Sequence, residues 1–286
     1  MVHVEITEAD VATALKNRFK NEEVQLLKWK LISFNEEGKL GYLGDHYKVE
    51  TTIQRNGNEE NVSFFVKTIP QNKTQQDLVE AGAMYRKEAQ FFNLIADELI
   101  SILSKITPMV PDSKVYVIPR CYLANDIMMI MENLIEDGFE GKSADIPLSA
   151  EDFLTSMRAL GRFHAASIAL EERLGKPLIE EYPELEYETF LNQSPDHCLK
   201  TWHAASLDAA TTLVPMLEKY KNQPEVVKKT QEALPVLLRD LMVKVKAWPD
   251  TRNVFCHGDL WTNNLLFRLD KEGRSLEVSY RYLFNP

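Results

Sequence analysis

Near the end of this chain a histidine, an aspartate and an asparagine stand at fixed offsets between short apolar runs. The segment is His257-Gly-Asp-Leu-Trp-Thr-Asn-Asn264. Its H-x-D-x-x-x-x-N spacing suits phosphoryl transfer. There an aspartate (Asp259) meets the acceptor hydroxyl as base, and an asparagine (Asn264) holds Mg²⁺. Both side chains must converge on one phosphoryl group, so a short loop has to tie them to the core. His257 supports the loop. The other reading of the same residues is a plain turn, with Asp259 capping backbone groups and His257 structural.

Two earlier residues bear on that choice. Lys67 lies in a β-branched and aromatic stretch, Asn61-Val-Ser-Phe-Phe-Val-Lys67, and Glu88 lies on the helical pattern that follows. A strand lysine paired with a helix glutamate is how an ammonium is aimed at nucleotide α/β-phosphates. Upstream, Gly38, Gly41 and Gly44 do not spell G-x-G-x-x-G. They either form turns or let backbone N–H groups approach phosphate oxygens, Gly41 and Gly44 being the candidates. Glu132-Asn-Leu134 closes an apolar run at the place where a nucleotide base would meet backbone groups, so Glu132 and Leu134 complete the nucleotide-binding set.

The elements that must position these residues follow from pattern. An amphipathic helix is expected over 8–20, with Val11, Leu15 and Phe19 on one face. Strands are expected over 29–34, 46–53 and 61–69, with a tight hairpin at Asn56-Gly57 and a stop at Pro70. One long helix is expected over 75–103, then strands over 115–118 and 127–131. Ser149 with Asp152 forms a capping box for a helix whose apolar face runs Phe153, Met157, Leu160 and Phe163, closed by Gly175. Helical patterns over 184–221 and 225–247, with a kink or break at Pro235, precede a final hairpin. The layout is α+β. The expected divisions are an N-terminal helical segment over 1–25, a nucleotide-binding small lobe over 26–134 and a large helical lobe with the catalytic loop over 135–286.

Composition narrows the function class. Against 43 Asp and Glu stand 33 Lys and Arg, a net charge of −10, so no basic footprint for nucleic acid exists. No run approaches the roughly 18 apolar residues of a membrane span. Three unevenly spaced cysteines, Cys121, Cys198 and Cys256, signal neither a disulfide framework nor a zinc site. A cytoplasmic protein acting on a small molecule is expected.

Taken together, the motifs identify a resemblance. Gly41-Tyr-Leu-Gly-Asp-His-Tyr47, Phe64-Phe-Val-Lys67, Tyr85-Arg-Lys-Glu88, Met131-Glu-Asn-Leu134, Gly161-Arg-Phe-His-Ala-Ala-Ser167 and the His257 to Asn264 segment resemble the insect ecdysteroid kinase-like proteins. These are also called CHK kinase-like and are related to choline kinases and aminoglycoside phosphotransferases. The resemblance spans about 30–278. It implies a bilobal protein-kinase-like fold with an antiparallel-sheet small lobe and a mainly helical large lobe. It also implies ATP with Mg²⁺ and phosphorylation of a small-molecule alcohol, ecdysteroids being the type substrate. By position, Lys67 contacts phosphates, Glu88 orients it, Asp259 is the base and Asn264 a metal ligand, while His164 has a packing role.

One family feature is missing. A second metal-binding aspartate, usually in Asp-Phe-Gln, is expected after the final hairpin, but the chain reads Ser279-Tyr-Arg-Tyr-Leu-Phe-Asn-Pro286 there. The reading is therefore a C-terminally truncated member with an incomplete large lobe and impaired catalysis. The second reading is a non-catalytic pseudokinase that binds nucleotide or ligand.

Overall fold

The computed structural model describes residues 4–34, 43–106, 117–143, 145–185, 200–244 and 251–280. Among them α-helix and antiparallel β-sheet are mixed, and two compact units emerge. The first comprises Met1–Leu185 with Arg252–Pro286, and the second Glu186–Thr251. This division differs from the expected one, since the nucleotide-lobe sheet and the final hairpin fall in the same unit.

In the first unit α1 (Glu8–Phe19) starts at a capping box between Thr7 and Asp10 and buries Val11, Ala14 and Leu15. Strands β1 (Val24–Ser33), β2 (Asp45–Arg55) and β3 (Asn58–Thr68) form an antiparallel meander. Both residues of the β2–β3 turn take positive φ, Asn56 at 52° and Gly57 at 81°. That turn matches strand twist, which is why Asn-Gly was legible there. The sheet order is β1-β2-β3-β5-β4, with β4 (Cys121–Ala124) and β5 (Met128–Glu132).

The strand period of two sorts β3 into faces. Val62, Phe64 and Val66 join the α1 residues in one apolar cluster, so Phe65 and Lys67 face the other way. On that second side pack α2 (Lys73–Ala81), α3 (Met84–Leu94) and α4 (Ala96–Ile106). The single helix expected over 75–103 is thus three. The break falls at Gly82 and at Ala83, whose φ of 52° is left-handed. The strand expected over 115–118 is also corrected. Residues 115 and 116 lie outside the described set, Val117 and Ile118 are not in a strand, and β4 takes the place beside β5.

A second sheet, in the order β6-β7-β8, combines β6 (Phe139–Gly141) with the final hairpin β7 (Leu265–Leu269) and β8 (Ser275–Tyr280). Helix α5 (Ala150–Leu174) has the expected Ser149–Asp152 capping box and ends on Gly175 at φ 68°. Its buried face is only partly the expected one: Phe163 is buried and Met157 and Leu160 are half-buried. Phe153 is exposed, whereas Asp152, Thr155, Ser156, Ala159, Phe163, Ala166 and Leu170 are buried. Small and hydroxyl residues let β8 come close, and Thr155 donates to the Ser275 carbonyl at 3.4 Å. The unit continues into α6 (Leu178–Glu181).

Asp152 is the knot at this end. Its Oδ1 meets Lys142 Nζ at 2.6 Å and accepts from Ser275 Oγ, while Oδ2 accepts from the Ser149 N–H at 3.1 Å. Burial alone would raise its pKa. Lys142, Ser275 and Ser149 outweigh burial and hold the carboxyl well below its usual 3.8. A carboxyl depressed in the folded state stabilises the fold above its unfolded pKa, and that contribution is lost as pH falls through the folded value. In urea titrations, the stability advantage of wild type over Asp152→Asn is expected to be full at pH 6. It should shrink steadily below about pH 4.

The second unit holds α7 (Lys200–Leu213) and α8 (Pro224–Lys244), joined through Gln231 donating to the Thr211 carbonyl at 2.9 Å. Pro235 lies inside α8 without ending it. Of the first helical stretch expected here, over 184–221, residues 184 and 185 lie in a 3₁₀ turn, 186–199 lie outside the described residues, and two short 3₁₀ turns follow α7. Among all described residues, no helix is long and apolar enough to cross a membrane.

Candidate active site

Lys67 Nζ lies 2.7 Å from Glu88 Oε2, with the two side chains only 3% and 1% exposed. The pairing is dictated by elements already described. Lys67 alternates onto the α3 side of β3, and Glu88 sits one turn beyond the start of α3, beside buried Met84, Tyr85 and Phe92. The ammonium also stands 4.9 Å over the Tyr85 ring. Tyr85 itself donates to the Thr68 carbonyl. Burying two charges costs several kcal/mol per ion and repays little net stability, so such a pair is weak as a stabilising device. Its value lies in holding a cation at a fixed place.

Gly44 shows why no side chain fits at the end of the glycine-bearing segment. A Cβ there would come within 2.7 Å of Tyr85 Oη and 3.3 Å of the Thr68 carbonyl. The strand end, the helix and the loop therefore pack together through that glycine. Gly41 lies outside the described residues.

The second half of the site is the loop before β7. Gly258 takes φ 79°, a left-handed conformation that folds the Asp259 N–H back onto His257 Nδ1 at 3.2 Å. An acceptor at Nδ1 requires the neutral ring with its proton on Nε2. The imidazole is buried and meets the Tyr280 ring edge-on, centroids 5.2 Å apart. Asn264, also buried, closes the loop. Its Nδ2 donates to both the backbone carbonyl and the Oδ2 of Asp259, each at 2.8 Å. Asp259 is thereby held half-exposed in one orientation, and the amide Oδ1 is left among the described residues for a donor or cation.

Aromatic contacts connect the two halves. Phe91, three residues after Glu88, meets Phe255 at 6.1 Å and Phe163 at 6.3 Å. Phe163 in turn meets Tyr280, which meets His257. The helix that carries Glu88 and the loop that carries Asp259 therefore share one core.

Of the remaining candidates, Glu132 is engaged in backbone pairing: its N–H donates to the Arg120 carbonyl at 2.8 Å, and its side chain accepts from the Arg120 N–H at 3.4 Å. Leu134 is 3% exposed and packs with Phe139 and Leu266, which ties the stretch after β5 to the β7 hairpin. Its N–H has no hydrogen-bond partner among the described residues. His164 is half-buried against Phe163, and burial lowers its pKa. Sequence reasoning quotes the segments that hold Tyr85 and Tyr280 but gives neither residue a contact at the site. The phase of Tyr85 with Glu88, three residues apart on one helix face, was the signal available for the first.

A family model described as the ecdysteroid kinase-like family matches residues 40–280, from the Gly41 segment through the last described strand. The chain belongs to the ecdysteroid kinase-like family. Comparison with curated proteins and with solved structures gave no match. Membership makes the α+β architecture a kinase-like fold and places the chain in a class of small-molecule phosphotransferases that use ATP and Mg²⁺. Among the described residues no three His, Cys, Asp or Glu cluster to hold an ion. Ser279 and Tyr280 are both fully buried in β8. Tyr280 points inward, donating weakly to the Ser156 carbonyl at 3.4 Å, and Arg281 lies outside the described residues.

Proposed function

We propose that the protein binds ATP through Lys67, Glu88 and the 132–134 backbone. Asp259 is poised to take the proton of a small-molecule alcohol, an ecdysteroid-type one first. The observation that carries the proposal is the buried Lys67–Glu88 pair. A charge pair of that cost, on the strand and helix where phosphate binding would need it, is better explained by a ligand than by stability. Asp259 fits the base because its carboxylate is half-exposed and fixed by Asn264. When bound, Mg²⁺ would neutralise charge on the phosphates. Among the described residues only Asp259 and Asn264 are proposed as ligands, so the ion would depend on nucleotide and water for the others, and phosphotransfer is proposed to be no more than a trace.

The test uses purified chain with Mg²⁺-ATP and a panel of ecdysteroids, choline and an aminoglycoside. A saturable thermal shift with ATP and near-background product is expected. Asp259→Ala should then leave this chain almost unchanged, yet cut turnover by orders of magnitude in a relative carrying the second aspartate. Robust turnover by this chain, lost in Asp259→Ala, would show the metal is adequately held. Product from choline alone would remove the steroid assignment. Saturable binding with no turnover under any condition favours the pseudokinase reading, for which the inward-turned Tyr280 is the specific support.

A further inference from the structure

We infer that Ser63, Asn133 and Glu136 form a clamp that positions the Leu134 N–H for the acceptor edge of a nucleotide's heterocyclic base. The inference rests on the nucleotide reading above and adds to it three side chains outside the expected site. Asn133 is 5% exposed, and its Nδ2 donates to Ser63 Oγ at 2.6 Å. The Ser63 hydroxyl donates to Glu136 Oε1, and the Glu136 N–H returns to the Asn133 carbonyl at 3.1 Å. The three form a closed ring. Ser63 stands on β3 four residues before Lys67, so the period of two puts both on the same face of one strand. On its backbone side Ser63 is fixed as well, its carbonyl accepting from Arg18 at 3.3 Å.

The residue inside the ring explains its purpose. The Leu134 carbonyl accepts from the N–H groups of Asp137 and Phe139, both at 3.1 Å, so the turn after β5 is fully tied on that side. Among the described residues the Leu134 N–H has no partner, although the residue is buried. A buried backbone donor left unmatched costs about 1–3 kcal/mol, which a folded protein tolerates where a ligand supplies the acceptor. A flat heterocycle with an unprotonated ring nitrogen is the chemistry that fits a single, rigidly held N–H beside apolar Leu134, Phe139 and Leu266. Ser63, Asn133 and Glu136 are positioning residues: none needs to touch the base.

Isothermal titration of wild type, Ser63→Ala and Lys67→Met with ATP, adenosine and inorganic tripolyphosphate separates the roles. Ser63→Ala is expected to weaken ATP and adenosine by about 5- to 10-fold, the size of one displaced hydrogen bond, and to leave tripolyphosphate within about twofold. Lys67→Met should do the reverse, losing tripolyphosphate and keeping adenosine. Glu136→Ala, a surface change that frees the Ser63 hydroxyl to turn, should repeat the Ser63→Ala pattern at smaller size and covers the case in which Ser63→Ala does not fold. Unchanged adenosine affinity in Ser63→Ala and Glu136→Ala overturns the clamp, as does an equal loss for tripolyphosphate. Wild type binding none of the three overturns the nucleotide reading itself, and the clamp with it.

Discussion

Lys67→Met is expected to destabilise the protein by about 3–5 kcal/mol and to weaken ATP binding by roughly 10- to 100-fold. The first figure follows from leaving Glu88, only 1% exposed, as an uncompensated buried charge. The second follows from removing a charge-assisted bond to phosphate. These effects can be separated. In Lys67→Met/Glu88→Leu no buried charge remains, and replacing a buried pair by apolar side chains is often neutral or stabilising. Urea unfolding of the double variant should therefore return close to wild type while ATP affinity stays at the level of Lys67→Met. A double variant that regains ATP binding would mean that the ammonium does not touch the nucleotide.

Tyr280→Ala should cost about as much, roughly 3–5 kcal/mol, because it empties a fully buried aromatic position between Phe163 and His257. Burial already pushes the Tyr280 hydroxyl's pKa up, so the group is neutral throughout the working pH range. Its bond to the Ser156 carbonyl is long, 3.4 Å, and Tyr280→Phe should cost no more than about 1 kcal/mol. Thermal unfolding of both variants gives the comparison. Equal and small losses would show that the ring does not support the core at that place. If Tyr280 holds His257, the alanine variant should also lose order in the His257–Asn264 loop, visible as faster amide exchange at Asp259 and Asn264.

What the sequence disclosed, and what it hid, has a physical pattern. The β2–β3 hairpin was legible because Asn56 and Gly57 are the residues a positive-φ turn requires. The pairing of Lys67 with Glu88 followed from the order of strand and helix. The capping boxes at Thr7–Asp10 and Ser149–Asp152 are local chemistry, and of these the second was read in advance. The failures are tertiary. Helices α2 to α4 keep a continuous apolar phase, so nothing in the pattern marks Ala83 as left-handed. Strands β4 and β6 are too short to show a period, and only pairing with β5 and β7 makes them strands. On α5 the pattern finds Phe163 but not the first turns, where closeness to β8 selects Thr155, Ser156 and Ala159 and leaves the larger Phe153 exposed. At the site, Asp259, Asn264 and His257 were named from spacing. What spacing could not show is that Asn264 spends its amide N–H groups on Asp259 itself.

The first unit is built from two separated stretches of chain, and this has a consequence for how the protein is made. Phe255, Leu265, Phe267, Val278 and Tyr280 belong to the same core as Phe91, Ile118 and Phe163. The Asp152 knot likewise waits for Ser275, 123 positions later. On the ribosome, Met1–Leu185 would emerge with that core open on one side while all of Glu186–Thr251 is still being synthesised. At about 5–20 residues per second the gap lasts roughly 3–15 s, far longer than collapse or helix formation takes. For that interval the nascent chain exposes the apolar side of α3 and α5, a surface suited to transient capture by a chaperone, and the last strand to arrive both completes the core and fixes His257.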